Sequence, residues 1–211
     1  MLDYAEYTKI FVSLLAIINP LGAIPIFISI TADENNNQHR KTINMVAFGV
    51  AVILLLALFF GEWLLMFFGI TIDSFRVGGG ILILLMAIAM LHAKTSRIRQ
   101  TEEEADESIA KESVAIVPLA MPLLAGPGAI STVILAAHKS GSIVHYLIIA
   151  LGILLLSLMV WSVLRMAPWI SQRISATGIN IFTRIMGLIL AAIAVEFLAN
   201  GIKGLFPVLA N

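Results

Sequence analysis

The chain has 211 residues, of which 60% are hydrophobic and 12% charged, and its mean hydropathy is +1.00. Soluble domains are about 45–50% apolar and about 25% charged, so this composition indicates an integral membrane protein. The formal net charge is zero, which argues against a nucleic-acid partner, and without cysteine the chain has no disulfide or cysteine-metal site. The acidic amino end, with Asp3 and Glu6, favours a retained first span over a cleaved signal peptide.

Six apolar segments are long enough to cross a bilayer, which takes roughly 20 residues. They are predicted near residues 8–31, 43–68, 75–93, 113–137, 143–165 and 180–206. Lysine and arginine are concentrated in the loops after the first, third and fifth segments, and the positive-inside rule then places both termini outside. The polar stretch 94–112 becomes a cytoplasmic linker between two halves, residues 1–93 and 113–211.

The first segment contains a helix breaker, Asn19-Pro20-Leu21-Gly22-Ala23-Ile24-Pro25. Each proline removes a backbone donor and clashes with the carbonyl one turn back, which excludes an unbroken helix. Lipid offers the freed carbonyls no partner, so the break must face protein or a water-filled cavity. The Pro-x-x-x-x-Pro spacing recurs in the fourth segment, from Pro122 to Pro127. Interrupted segments at corresponding places in two halves indicate the binding site of a transporter.

The third and sixth segments are also similar, because residues 76–82 align with residues 184–190. The chain then consists of two three-helix repeats, and since three is odd, the second repeat inserts upside down. The predicted fold is therefore an all-α membrane protein. Its six transmembrane helices form two inverted three-helix repeats, with helices 1 and 4 broken at the midplane.

The second half of each broken helix begins near the midplane with unpaired N–H groups and the positive end of the helix dipole. Pro25 and Pro127 suit the first turn, where a missing N–H costs nothing. These positive ends favour a carboxylate. The first half of each broken helix ends in unpaired carbonyl groups, and these acceptors, together with the Asn19 side-chain oxygen, favour an ammonium group or a cation. A small zwitterionic amino acid without a charged side chain fits both. The residues predicted to bind it are Asn19, Pro20, Gly22, Ala23, Pro25, Pro122, Gly126, Pro127, Gly128, Ser131 and Thr132.

Each small residue of the breaks is equally well explained by close helix packing. Four glycines of segments three and six are expected to serve helix contact instead of substrate: Gly78, Gly79, Gly80 and Gly187. Glu196 is predicted either to carry protons or to be satisfied by a hydrogen bond or by a position near the outer surface. Carbonyls at a break also bind Na⁺, so the coupling ion is left as H⁺ or Na⁺. No cofactor or metal is expected, membrane lipid is a partner, and a homo-oligomer is left open.

Residues 19–27 and 122–132, with the glycine-rich start of segment three, resemble the MarC family of bacterial and archaeal inner-membrane proteins. The resemblance covers essentially the whole chain, including its length and its charged central loop. It implies six spans in the inner membrane. For the small-neutral-amino-acid branch, it implies uptake of glycine and alanine driven by an ion gradient. It assigns the substrate-contacting breaks to residues 19–22 and 126–128.

The leading hypothesis is therefore a secondary transporter of small neutral amino acids. The alternative is a passive channel or exporter for small solutes, although Gly/Pro breaks that seal the midplane suit alternating access better. An enzyme is not expected. The four histidines are scattered near segment ends, and the sequence has no metal pair, nucleophile motif or phosphate loop.

Overall fold

The computed structural model of the chain describes residues 2–31, 34–92 and 124–210. Within these ranges the regular structure is entirely helical, which confirms the all-α class for the described part of the chain. The elements are α1 Tyr4–Ile18, α2 Ile24–Ile30, α3 Asn36–Phe67, α4 Ile72–Leu91, α5 Pro127–His138, α6 Ile143–Arg165, α7 Ala167–Arg173, α8 Ala176–Leu205 and a 3₁₀ helix Pro207–Ala210.

Four of the described helices are long and apolar enough to cross a membrane: α3, α4, α6 and the part of α8 from Thr177 to Leu205. They correspond to the predicted segments two, three, five and six, and α6 has the predicted bounds. Helix α3 begins earlier than predicted, at Asn36 instead of residue 43. The Asn35 side chain accepts hydrogen bonds from the amides of Asn37 and Gln38, and the Gln38 side chain accepts one from the Asn35 amide. This capping box extends the helix through polar residues that hydropathy does not detect.

The first predicted segment is not a continuous rod, because α1 ends at Ile18 and α2 begins at Ile24. The predicted break is therefore confirmed there. In the fourth segment, α5 begins at Pro127, while Pro122 and the linker 94–112 lie outside the described residues. The six-span inverted repeat and the division into residues 1–93, 94–112 and 113–211 stay predictions.

Helix α5 lies at the centre of the described structure, in contact with α1, α3, α4 and α6. Its residues from 128 to 137 are buried, apart from a half-buried Ile130. Two glycines make room for it. A Cβ at Gly61 of α3 would overlap the Ile134 side chain, and one at Gly79 of α4 would lie 2.9 Å from the Cβ of Ser131. A helix that is apolar on all sides and enclosed by other helices is a core helix.

Polar side chains hold the carboxyl end of α5 in place. The imidazole of His145, which is fully buried on α6, donates from Nε2 to the Ala136 carbonyl over 2.8 Å. Its Nδ1 lies 3.0 Å from the Tyr7 hydroxyl of α1. His138 Nδ1 lies 2.6 Å from Glu62 Oε1 of α3. These contacts tie α5 directly to α6 and α3 and join α6 to α1, and they explain His145 as a satisfied core residue.

Helices α4 and α8 run antiparallel and pack backbone to backbone. A Cβ at Gly187 of α8 would lie 3.1 Å from the Ala87 carbonyl oxygen, and one at Gly80 of α4 would lie 3.1 Å from the Leu198 amide nitrogen. Close approach of this kind is how helices associate without a hydrophobic driving force. The expected role in helix contact is confirmed for Gly79, Gly80 and Gly187, whereas it is wrong for Gly78, which is exposed with nothing within 4 Å.

Replacing Gly187 by Leu should therefore separate α4 from α8 and lower the free energy of unfolding by about 1–3 kcal/mol, the usual cost of overpacking. The matched control is Gly78→Ala, which adds a methyl group in open space and should be neutral or slightly stabilising because alanine is the better helix former. Unfolding of the purified protein in detergent, followed by circular dichroism, gives both values. Equal destabilisation by the two substitutions would contradict the glycine contact.

Candidate functional site

Asn19 ends α1 in the left-handed conformation, with φ 44° and ψ 65°, and it is the only residue other than glycine with a positive φ in the described chain. Asparagine tolerates this conformation because its short polar side chain bonds locally. The Asn19 amide donates to the Leu15 carbonyl over 2.9 Å, and its Oδ1 accepts from the Gly22 amide at 3.3 Å. The chain then turns into α2, where Ile24 N–H donates to the Leu21 carbonyl. The break thus pairs several of its own backbone groups.

The Asn19 side chain is almost completely buried, with 1% of its surface exposed, and its Nδ2 has no hydrogen-bond partner among residues 2–31, 34–92 and 124–210. The prediction that its oxygen faces an ammonium group or a cation stays a prediction. The Gly22 amide uses one of the two lone pairs of that oxygen, whereas the NH₂ group has no partner within the described residues. An NH₂ group donates hydrogen bonds and cannot accept them, so it suits a carboxylate better than an ammonium group.

A hydroxyl group from α8 lies beside the same amide. A Cβ at Gly22 would overlap Asn19 Nδ2 and lie 3.2 Å from Oγ1 of Thr183, a buried residue of α8. Gly22 is thus the point where the break and α8 approach each other. Thr183 was not predicted from the sequence. No motif marks it, because its importance depends on how α8 packs against the break.

The second break begins α5. Gly126 precedes the helix in an extended conformation, and its carbonyl accepts from the amides of Ala129 and Ile130 at 3.0 and 3.1 Å. Pro25 and Pro127 both lie in the first turn of their helices, which confirms that prediction. Gly128 allows α5 to approach α1, since a Cβ there would lie 3.4 Å from Cγ2 of Ile17. The end of α1 and the start of α5 are therefore neighbours.

The predicted site residues differ in exposure. The buried ones are Asn19, Pro20, Gly22, Ala23, Gly126, Gly128, Ser131 and Thr132. Pro25 and Pro127 are exposed, and Pro122 lies outside the described residues. Ser131 packs against Gly79, and the Thr132 hydroxyl donates to the Gly128 carbonyl over 2.8 Å.

A cavity of about 360 Å³ lies between α1, α4, α5 and α8, and it reaches Thr132. Its charged lining residues are Glu6, Lys9, Arg76, Lys139 and Glu196. Most of these are paired. Lys139 Nζ lies 2.6 Å from Glu6 Oε2, and Arg76 is paired with Asp73 at 3.2 Å. Glu196 is exposed and forms no ion pair or hydrogen bond within the described residues. The interhelical hydrogen bond considered for Glu196 is thus not found in this part of the chain.

The ion pair at the mouth of the cavity changes the titration of Glu6. The Lys139 ammonium, which hydrogen-bonds to this carboxylate and attracts it, holds the pKa of Glu6 below its usual value, and Lys9 adds to the effect. Because the pKa is lowered in the folded state, the ion pair stabilises the fold at pH values above the usual glutamate pKa. This stabilisation is lost as the pH falls through the lowered value.

Several long apolar helices and an interrupted first segment define a multi-pass integral membrane protein. The chain matches the family described as "MarC family integral membrane protein" over residues 4–206, and it belongs to that family.

Relatives occur in bacteria and archaea. The chain is 44% identical over 209 residues to the UPF0056 membrane protein YhcE of Escherichia coli K12, covering 99% of this chain and 97% of the relative. It is 42% identical over 205 residues to a UPF0056 membrane protein of Buchnera aphidicola from Acyrthosiphon pisum, covering 97% and 95%. It is 40% identical over 208 residues to one from Methanocaldococcus jannaschii, covering 96% and 98%. No solved structure matches the chain significantly.

The contact between Asn19 and Gly22 can be tested with a double-mutant cycle, in which we expect the effects of the two substitutions to be non-additive. Gly22→Ala places a methyl group on the Asn19 amide and should lower the free energy of unfolding by about 1–3 kcal/mol. Asn19→Gly keeps the left-handed backbone accessible and removes the amide. In the Gly22→Ala, Asn19→Gly double variant, most of the loss caused by Gly22→Ala should therefore disappear. Additive effects of the two substitutions in denaturant unfolding would show that the groups do not meet.

Proposed function

We propose that this protein is a secondary transporter of small neutral amino acids, with glycine and alanine as substrates, and that an ion gradient drives it. It thus belongs to the small-neutral-amino-acid branch of the family, in the inner membrane and with both termini outside. The observation that carries the proposal is the buried NH₂ group of Asn19 at the break between α1 and α2, which has no partner in the part of the chain that the structure describes.

An unsatisfied buried donor costs about 1–3 kcal/mol, so an acceptor that reaches it binds with that advantage. A substrate carboxylate is such an acceptor, and the nearby Thr183 hydroxyl adds a second polar group. The small residues Gly22, Ala23, Gly126 and Gly128 allow a ligand to approach the backbone closely, which favours a small substrate. No lysine, arginine or acidic residue lies within residues 10–31, which favours a substrate whose own charges sum to zero.

The charged cavity provides the route of entry in this proposal. Its lysines and arginine attract a carboxylate, and the unpaired Glu196 attracts an ammonium group, so a zwitterion is favoured over a simple anion or cation. Thr132 connects the cavity with the start of α5, since it lines the cavity and donates to the Gly128 carbonyl. Glu196 is the proposed carrier of the coupling proton, because it is the carboxylate in the cavity without a partner.

The proposed architecture is the inverted repeat of two three-helix units. Its support is the antiparallel contact between α4 and α8, which are equivalent helices in that arrangement. An axis in the membrane plane that relates two such helices makes them antiparallel where they meet.

Uptake of labelled glycine into proteoliposomes tests the proposal. Wild-type uptake should require an imposed H⁺ or Na⁺ gradient. Asn19→Gly should reduce uptake about tenfold or more, because a hydrogen bond to a charged carboxylate is lost. Asn37→Ala, at an exposed asparagine in the first turn of α3, is the matched control and should transport normally. Absent uptake, or uptake indifferent to every gradient, contradicts the proposal. Conductance in planar bilayers would instead identify a passive channel.

If Glu196 carries the coupling proton, its replacement should separate pH-driven uptake from glycine exchange. Glu196→Gln should abolish uptake driven by a pH gradient, because the side chain no longer takes up a proton. Exchange of labelled for unlabelled glycine should continue, since exchange needs no net proton movement. Glu62→Gln, which alters a carboxylate that lies outside the cavity, should leave both activities intact. Full pH-driven uptake in Glu196→Gln would exclude this residue as the proton carrier, whereas uptake that responds only to a Na⁺ gradient in the wild type would favour Na⁺ coupling.

A further inference from the structure

A second cavity, of about 340 Å³, lies where α3 begins and α6 ends, at the opposite ends of these helices from His138 and the Glu62 carboxylate. We call it the basic cavity and define it by His39, Arg40, Asn44, Trp161 and Arg165. Both helices are among those long enough to span the membrane, so their ends mark the level where the bilayer meets water. A tryptophan beside arginines is typical of this level.

The basic cavity carries positive charge without a balancing carboxylate. None of its lining residues is acidic, and within the described residues neither Arg40 nor Arg165 forms an ion pair. Within the described residues, one carboxylate contacts a lining residue, that of Glu34. It lies 4.0 Å from Nδ1 of His39 and accepts a hydrogen bond from Thr42. Both guanidinium groups are thus unpaired in the described part of the chain, as binding of an external anion requires.

The side chains of the basic cavity are held in a fixed arrangement. Trp161 Nε1 donates to Asn44 Oδ1 over 2.8 Å, which joins α6 to α3 and fixes the indole ring. The Arg165 guanidinium carbon lies 4.9 Å from the centre of that ring. A guanidinium stacked on an aromatic ring keeps its N–H groups free at the edge, where they fit the oxygens of a phosphate group.

An apolar surface continues from the basic cavity towards the middle of the membrane. Phe48 follows Asn44 by one turn of α3, and Leu158 precedes Trp161 by one turn of α6, so each lies on the same face of its helix as the cavity residue. Their side chains are 72% and 57% exposed. A phosphate-binding site next to exposed apolar side chains suits a phospholipid, which has both a phosphate group and acyl chains. Free phosphate would make no contact with the apolar side chains.

We propose that the basic cavity binds the phosphate group of an anionic phospholipid, with the acyl chains of the lipid lying over Phe48 and Leu158. Arg40 and Arg165 hold the phosphate oxygens, and Trp161 positions Arg165. Anionic headgroups attract basic residues at a membrane surface, and basic pockets between spanning helices are suited to them. The site is separate from the break at Asn19 and from the cavity that contains Glu196.

Native mass spectrometry of the full-length protein in a neutral detergent, titrated with phosphatidylglycerol or phosphatidylcholine, tests this proposal. Phosphatidylglycerol should bind at least about fivefold more tightly than phosphatidylcholine. Arg40→Gln and Arg165→Gln should each weaken its binding about fivefold, the contribution of one basic residue to an anionic headgroup. Arg173→Gln is the matched control. Arg173 also stacks on a tryptophan, Trp169, at 4.2 Å, but it does not line the cavity, so its replacement should have no effect.

Arg40 forms no ion pair within the described residues, so Arg40→Gln should leave the fold intact. Unchanged lipid binding in this variant overturns the proposal. Equal weakening by Arg173→Gln overturns it as well, since the effect would then be one of general charge. Inorganic phosphate is added in a parallel titration. If it displaces phosphatidylglycerol at the same concentration at which the lipid binds, the cavity is a site for soluble phosphate and the lipid assignment fails.

Discussion

Every backbone polar group that the membrane encloses needs a partner within the protein, and this requirement governs the break between α1 and α2. Asn19 meets it with its own amide, which donates to Leu15, and with its side-chain oxygen, which accepts from Gly22. This arrangement pairs the side-chain oxygen and leaves the NH₂ group buried without a partner among the described residues. The chemistry proposed for the site thus follows from how the chain interrupts its own helix.

The small residues around the end of α1 make close packing contacts. Gly22 allows α8 to approach Asn19, and Gly128 allows α5 to approach Ile17. Without these close contacts the Asn19 amide would not lie beside Thr183, and the start of α5 would not adjoin the end of α1. The binding site proposed above therefore depends on the same glycines that bring α1, α5 and α8 together.

The features predicted best from the sequence were those with local causes. Proline stereochemistry placed the break after Ile18 and set Pro25 and Pro127 in the first turns of their helices, and hydropathy gave the bounds of α6. The approach of Thr183 was not predictable in this way. It depends on a tertiary contact between segments more than 150 residues apart in the chain. The unpaired state of Glu196 likewise depends on which side chains of other helices reach it.

The depth of the cavity beside α5 has an electrical consequence. Thr132 and Ala136 both line the cavity, and between them the helix rises about 6 Å, at 1.5 Å per residue. Water that filled the cavity as far as Thr132 would leave the membrane voltage to fall across the remaining thickness of a hydrocarbon layer about 30 Å deep. The electric field would then be concentrated around the start of α5 and the end of α1, and a charge that moves there would cross a larger share of the membrane potential.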